Sequence, residues 1–403
     1  NQGSMTATHG GYLALLAPEV RNEGVMVASL GTALLAAGNK VTLNLENGSL
    51  LGYSIDQGAI NALAENKQLI KADGGQVLLS ARAMDSLTTA TVNNTGIIEA
   101  KTLQNRAGRI LLMGDMDYGT VNVGGTLEAS APTTGDGGFV ETSAAHVKIA
   151  AGTRVTTLAA NGKNGEWLID PVDFTVAATG GDMTGATLSA NLGGGNVTIQ
   201  STNGATGVNG DVNINDTVSW SANTLTLNAQ RNININTAMN GSGTGKLALL
   251  YGQGAVAAGN TALYNVNAPV NLAAGNNFST KLGSDGTVVQ YKVITALGAE
   301  GSTTGTDLQG ISLDPYTNYV LGADIDASAT RNWNGGAGFD ALKVFTGTFD
   351  GLKHVVKNIH INRPTEDQVG LFGYVASGTI QNVGLEGGSV RGDTDVGALM
   401  GYG

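Results

Sequence analysis

Apolar and polar residues alternate along most of this chain, in short runs that open after glycine and close at asparagine or glycine. Gly10-Gly11-Tyr12-Leu13-Ala14-Leu15-Leu16 leads to Asn22-Glu23-Gly24-Val25-Met26-Val27. Gly74-Gly75-Gln76-Val77-Leu78-Leu79 leads to Asn94-Thr95-Gly96-Ile97-Ile98, and Gly137-Gly138-Phe139-Val140-Glu141 leads to His146-Val147-Lys148-Ile149. A period of two puts one face of each run inward and one outward, as strands require. Glycine and Asn-Gly supply the corners. Short strands joined by corners that are not hairpins predict an all-β fold, a parallel β-helix with short excursions. The alternation of Thr42-Leu43-Asn44-Leu45 is read as one more strand of the stack, and Val77 is placed on the inner face.

Three regions differ in texture. Residues 1–165 are the most regular. Within them, the stretch from Ile60 to Ile70 has helical spacing and good helix formers, which predicts a short helix or excursion outside the stack. Residues 166–300 open on the dense run Trp167-Leu168-Ile169-Asp170-Pro171, where proline removes a ladder hydrogen bond and suggests a boundary. Trp167 is assigned to the core or to a boundary cap. Asn- and Thr-rich runs follow, such as Asn196-Val197-Thr198-Ile199 and Thr224-Leu225-Thr226-Leu227-Asn228, and stacked asparagines there are expected to form hydrogen-bonded ladders. Residues 301–403 carry a second repeat, seen at Phe345-Thr346-Gly347-Thr348-Phe349-Asp350-Gly351 and Val369-Gly370-Leu371-Phe372-Gly373.

Composition narrows the function. The 403 residues include 61 Gly but 6 Pro, and 41% are hydrophobic against 13% charged, so the chain folds and turns often. A net charge of −11 without a basic cluster argues against a nucleic acid partner. The absence of Cys excludes disulfides and thiolate metal sites. No apolar run is long enough to predict a membrane span. The start at Asn1-Gln2-Gly3-Ser4 and the end at Gly401-Tyr402-Gly403 fall inside the pattern, so a piece of a longer protein is expected.

The segment Gly135-Asp136-Gly137-Gly138-Phe139-Val140-Glu141-Thr142-Ser143, followed by Gly165-Glu166-Trp167-Leu168-Ile169-Asp170-Pro171, resembles the filamentous haemagglutinin-like adhesins of two-partner secretion. The run from Trp220 to Leu227 is similar to their continuation, and the repeat at Phe345–Gly351 and Val369–Gly373 resembles their GLUG repeats. Among them, biofilm-matrix adhesins are the nearest resemblance. It implies a right-handed β-helix, with residues 1–165 as the later part of the haemagglutination/secretion-type domain. It also implies a Gram-negative protein at the cell surface or secreted, export through an outer-membrane β-barrel transporter, and binding of exopolysaccharide or of host or bacterial surface glycans. The family's Asn-Pro-Asn type motif is absent from this sequence.

Candidate chemistry is sparse. Tyr316, Tyr319, Trp333 and Asn334 combine aromatic rings with an amide, the mix a sugar surface uses, and are the candidate carbohydrate residues; a loop packed by its own rings is the competing reading. Arg391-Gly392-Asp393 matches a cell-attachment tripeptide, though a coil corner explains it as well. Asp115 with Asp117, and Asp324 with Asp326, are spaced to share a strand face and raise the alternative of a β-helical polysaccharide-degrading enzyme; a solvated outer face is preferred. His354 and His360 would sit on one strand face about 20 Å apart, too far for one metal. No catalytic residue, metal or cofactor is assigned. The reading is a non-enzymatic, elongated adhesin scaffold; a stalk for toxin delivery is a further alternative.

Overall fold

The computed structural model describes residues 1–46, 49–202 and 210–403. It is nearly all β, with long parallel sheets. Contacts divide the chain into two units. The first comprises Asn1–Asn234, Leu249–Tyr264 and Leu282–Asp285; the second comprises Ile235–Ala248, Asn265–Lys281 and Gly286–Gly403.

From Ser4 to Thr156, apart from residues 40–57, the chain visits three sheets in rotation, so each of them collects every third strand; Phe174–Val176, Val212–Ile214 and Val218–Trp220 belong to further sheets. One sheet runs from Tyr12–Ala17 through Thr32–Ala37, Gln76–Ala81, Arg109–Met113, Phe139–Ser143, Glu166–Asp170 and Asn196–Gln200 to Thr224–Ala229, all parallel. Its inner column is Val77, Ile110, Val140, Trp167, Val197 and Leu225, in register and each at most 1% exposed. Val77 therefore faces inward as its alternation predicts. Trp167 takes a place in this column, and its indole N–H donates to the Thr142 hydroxyl at 3.2 Å. A second sheet stacks Met26, Ile70, Ile98, Leu127 and Val155 inward. The third runs from Glu19–Asn22 to His146–Ile149.

Three local expectations are corrected. Residues 60–70 are not helical: Asn61–Asn66 and Leu69–Lys71 are strands of the third and second sheets. Helix propensity loses there to the pairing of Asn61–Asn66 with a strand on each side. The excursion lies elsewhere. Lys40–Glu46 and Ser49–Gln57 form an antiparallel hairpin, so Thr42–Leu45 does not join the stack. Its Leu50 and Ile55 pack on Leu34, Ala36 and Leu78, covering the exterior of the long sheet. Finally, Glu166–Asp170 is an interior strand with both neighbours paired, and Pro171 falls one residue past its end, where no ladder bond is lost.

An eight-residue helix, Gly185–Leu192, interrupts the Asn-rich region; the Thr184 hydroxyl caps it by accepting from the Thr187 N–H. Its Asn191 is buried, accepts from the Val155 N–H at 2.6 Å and donates to the Thr153 carbonyl at 3.0 Å. The helix thereby satisfies the edge of the second sheet, which otherwise offers unpaired backbone.

The second unit uses shorter strands. Gly275–Leu282 pairs antiparallel with Val289–Ile294, and Tyr319–Leu321, Thr348–Asp350 and Thr379–Gln381 follow in parallel. Its interior is aromatic. Phe345 and Phe349 each lie 5.1 Å from Phe372, and Trp333 stacks on Phe339 at 6.4 Å. Among the described residues, no helix is long and apolar enough to cross a membrane.

Candidate functional site: an open polar groove on the long sheet

Glycine decides where the exterior of the long sheet is open. At the corners Gly31, Gly75, Gly138 and Gly165, which precede strands of this sheet, the chain meets the preceding corner backbone to backbone. A Cβ on Gly138 would lie 2.3 Å from the Gly108 carbonyl oxygen, and one on Gly165 would lie 1.9 Å from that of Gly138. No side chain tolerates such distances, so the repeated glycine of the sequence is a packing requirement. It also leaves a floor of bare backbone, and a groove of about 600 Å³ runs over it.

Outward side chains from successive strands line the groove in register. Arg109 stands opposite Phe139, Phe139 opposite Glu166, and Glu166 opposite Asn196. The Thr224 N–H donates to Asn196 Oδ1 at 3.0 Å, and Thr198 and Thr226 form the next row. Strands lie about 4.8 Å apart, so the row from Arg109 to Thr224 spans about 19 Å. The Arg109 guanidinium sits 5.6 Å from the centre of the Phe139 ring, and no carboxylate pairs with it among the described residues. Glu166 Oε1 accepts from the Thr198 hydroxyl at 2.5 Å. Asn196 is fixed by donating to the carbonyls of Asn164 and Gly165. The hydroxyls of Thr224 and Thr226 have no protein partner among the described residues.

Farther along the same strands, Ser143 stands opposite Asp170. Burial, and then the negative charge of Glu141, push the Asp170 carboxyl up to about 6, against a hydrogen bond from Gln200. Its Oδ1 is buried and finds no hydrogen-bond partner among the described residues.

Polar ladders line other faces. Inside the first unit, Asn22, Asn66 and Asn94 are fully buried; Asn22 donates to Asn66, and Asn66 to Asn94, at 2.8 Å each, and Asn94 donates to the Gly124 carbonyl. In the Asn-rich region the expected ladders form: Asn228 donates to Gln200 at 2.9 Å and Asn234 to Asn213 at 2.8 Å. On the second sheet, Lys71 and Lys101 share Glu99, and each takes a second carboxylate, Asp73 and Glu128.

The sequence-derived candidates fall apart as a group. Tyr319 is fully buried in the second unit's core, its hydroxyl donating to the Asp314 carbonyl, with burial and the charge of Asp314 pushing its pKa up to about 12. Trp333 is buried against Phe339. Asn334 takes a positive φ of 52° and ties down the local turn, donating to the Gly338 carbonyl and to Asp340. Tyr316 alone is open, at 73% exposure. The three rings therefore present no common face. Arg391 ends the strand Ser389–Arg391 and is exposed, as is Asp393; Gly392 is half-buried against Val369.

The acidic pairs serve as supports: Asp115 and Asp117 lie in a turn rather than on a strand, whereas Asp324 and Asp326 flank buried Ile325 and both face outward, as their spacing predicts. Asp115 accepts from the N–H groups of Asp117 and Tyr118 in a turn. Asp324 precedes its strand and accepts from the Val355 N–H and from Lys357, whereas Asp326 holds Ser328 and Asn358. His354 and His360 do not share a strand, because Asn358 turns the chain between them at a φ of 59°. His146 points outward, as its alternation predicts. No group of three His, Cys, Asp or Glu able to hold a metal occurs among the described residues.

The groove was missed because its members lie about one coil apart in sequence. Part of its signal is nevertheless there: four members follow a glycine, in Gly108-Arg109, Gly138-Phe139, Gly165-Glu166 and Gly195-Asn196.

Fold and groove together define a class: an all-β protein with long parallel sheets that carries ladders of side chains on its exterior. Among known proteins, halomucin from Haloquadratum walsbyi is 44% identical over 104 residues, covering 24% of this chain. The chain spans about 1% of halomucin's length. No family model matches the chain.

Proposed function

We propose that this chain is a secreted or cell-surface adhesin segment, non-enzymatic, whose strands form a right-handed parallel β-helix and whose exterior holds extracellular carbohydrate or a neighbouring cell. The observation that carries this reading is the open exterior of the long sheet, where amides, hydroxyls, one ring and bare glycine backbone repeat coil after coil. Such a surface makes many weak contacts, and attachment strengthens as they act together. The resemblance to two-partner secretion adhesins supplies the rest of the proposal: a Gram-negative source, export through an outer-membrane β-barrel transporter, GLUG-type repeats in residues 301–403, and a role in biofilm or aggregation with exopolysaccharide or surface glycans as ligands.

One observation favours the enzymatic alternative. A carboxyl raised to about 6 beside a second carboxylate, as Asp170 is beside Glu141, is the pairing that glycoside hydrolysis uses. The buried, unpartnered Oδ1 of Asp170 argues against it, since a general acid must reach the glycosidic oxygen. A polysaccharide pull-down run beside a reducing-end assay on the same polymers separates the two. Retention without new reducing ends is the expected result; turnover abolished in Asp170→Asn would replace the adhesin by a hydrolase.

A further inference from the structure

The groove residues carry more than a general affinity for sugars. Every strand beneath the groove is hydrogen-bonded to a neighbour on both sides, so no free sheet edge is available for an added peptide strand. The groove instead repeats one side chain per coil, at the interstrand spacing of about 4.8 Å, which is close to the length of one pyranose unit. At one end the half-buried Phe139 offers an apolar ring edge, and Arg109 stands over its face with its donors unpaired by any carboxylate among the described residues. Glu166 offers acceptors in the middle, and Thr224 and Thr226 offer unpartnered hydroxyls at the far end. Arg109 and Glu166 cancel in charge, and a chain of net charge −11 repels polyanions. Beyond Arg109 the bare-backbone floor continues over Gly74 and Gly75 into a smaller cavity of about 350 Å³, walled by Leu50 and Leu51 of the hairpin.

We propose that the Arg109–Thr226 groove is the binding site for a neutral, linear glycan whose axis runs across the strands, one sugar per coil, with Phe139 and Arg109 gripping one end. This site rests on the carbohydrate-binding reading above and assigns it to residues. The test is calorimetric titration of the full 403-residue chain with cellohexaose, β-1,4-mannohexaose and hexagalacturonate. At least one neutral hexaose is expected to bind more tightly than hexagalacturonate. Phe139→Ala is expected to weaken that binding about tenfold or more. Arg109→Met and Thr226→Val, which keep the packing stem or volume, are expected to weaken it about three- to tenfold by removing hydrogen bonds. Tyr316→Ala, on the ring that is open in the second unit, serves as the control and is expected to change nothing. Thr226→Val preserves the fold even where Phe139→Ala disturbs it, and melting curves establish which variants are native. Wild-type affinity in both Phe139→Ala and Thr226→Val, with loss in Tyr316→Ala, overturns the site while leaving the carbohydrate reading intact. Preference for hexagalacturonate overturns the neutral class, and no binding of any hexamer by the wild type overturns site and reading together.

Discussion

The two units stack parallel strands by different means. The first fills its interior with Val, Ile, Leu and Ala in register and turns its corners on glycine, where coils touch backbone to backbone. The second gathers its rings around Phe372; it keeps close-contact glycines at Gly338, Gly347 and Gly388, and adds non-glycine turns at positive φ at Leu352, Lys353, Asn358, Gln368, Asn382 and Asp395. In the first, burial is spread over many small aliphatic contacts along the stacked strands. In the second, a few rings bridge three-residue strands and carry the packing, and each left-handed corner stores strain that the rings must offset. Exterior ladders follow from the first arrangement, because five- and six-residue strands leave two or three outward positions per coil.

The largest effect is expected where a charge enters the aliphatic column. Val77, stacked between Ala33 and Ile110, has no polar neighbour in that column to receive a carboxylate. Val77→Asp is expected to destabilise the first unit by about 4 kcal/mol or more. An unchanged denaturation midpoint would mean that the column does not face the interior. Ring removal comes next. Phe372→Ala is expected to cost about 3–5 kcal/mol, whereas Val140→Ala, at a comparably buried position of the first unit, costs about 2 kcal/mol. Equal costs in urea titrations would erase the distinction between concentrated and distributed packing.

A smaller effect tests the buried amides. Asn66 both accepts from Asn22 and donates to Asn94, so Asn66→Ala strands one donor and one acceptor in the interior. A loss of about 2–3 kcal/mol is expected, more than Ala for Asn costs on a surface. Amide hydrogen exchange should rise at Leu69 and Ile97, whose carbonyls the ladder also engages, and a variant with native exchange there would show the ladder to be ornamental.

Much of the fold was legible because strand alternation and corner glycine are local. The inward position of Val77, the outward position of His146 and the asparagine ladders all follow from spacing within one run. What stayed hidden is set by partners a coil or more away. Asn61–Asn66 has the composition of a helix, yet it is a strand because its neighbours at Glu19–Asn22 and Thr89–Asn94 pair with it. Thr42–Leu45 alternates like a stack strand, yet it pairs backward in a hairpin because Leu34 and Leu78 leave apolar surface outside the sheet. Tyr319 and Trp333 look like surface rings in a loop-rich stretch, but the short strands of the second unit need them inside. The groove inverts the problem: each member is ordinary in its own run, and only register brings Arg109, Phe139, Glu166 and Asn196 into one row.

The finest test concerns the exterior of the aliphatic unit and depends on pH. Asp170 has its carboxyl raised from 3.8 to about 6, first by burial and then by Glu141. The folded state therefore holds this proton more tightly than the unfolded chain does. Its stabilising contribution is complete below the unfolded value and is lost as pH rises through the folded one. Wild-type stability should fall between about pH 4 and pH 7 from this group, and Asp170→Asn, which cannot ionise, should lack that component of the slope. Because the carboxyl is part exposed, solvent screening reduces the effect to on the order of 1 kcal/mol above pH 7, with no gain at pH 4. Denaturant midpoints of the two proteins at four or five pH values measure this directly. A parallel offset at every pH would show that the amide acts through packing, and a stability that rises with pH in the wild type alone would reverse the assigned direction of the shift.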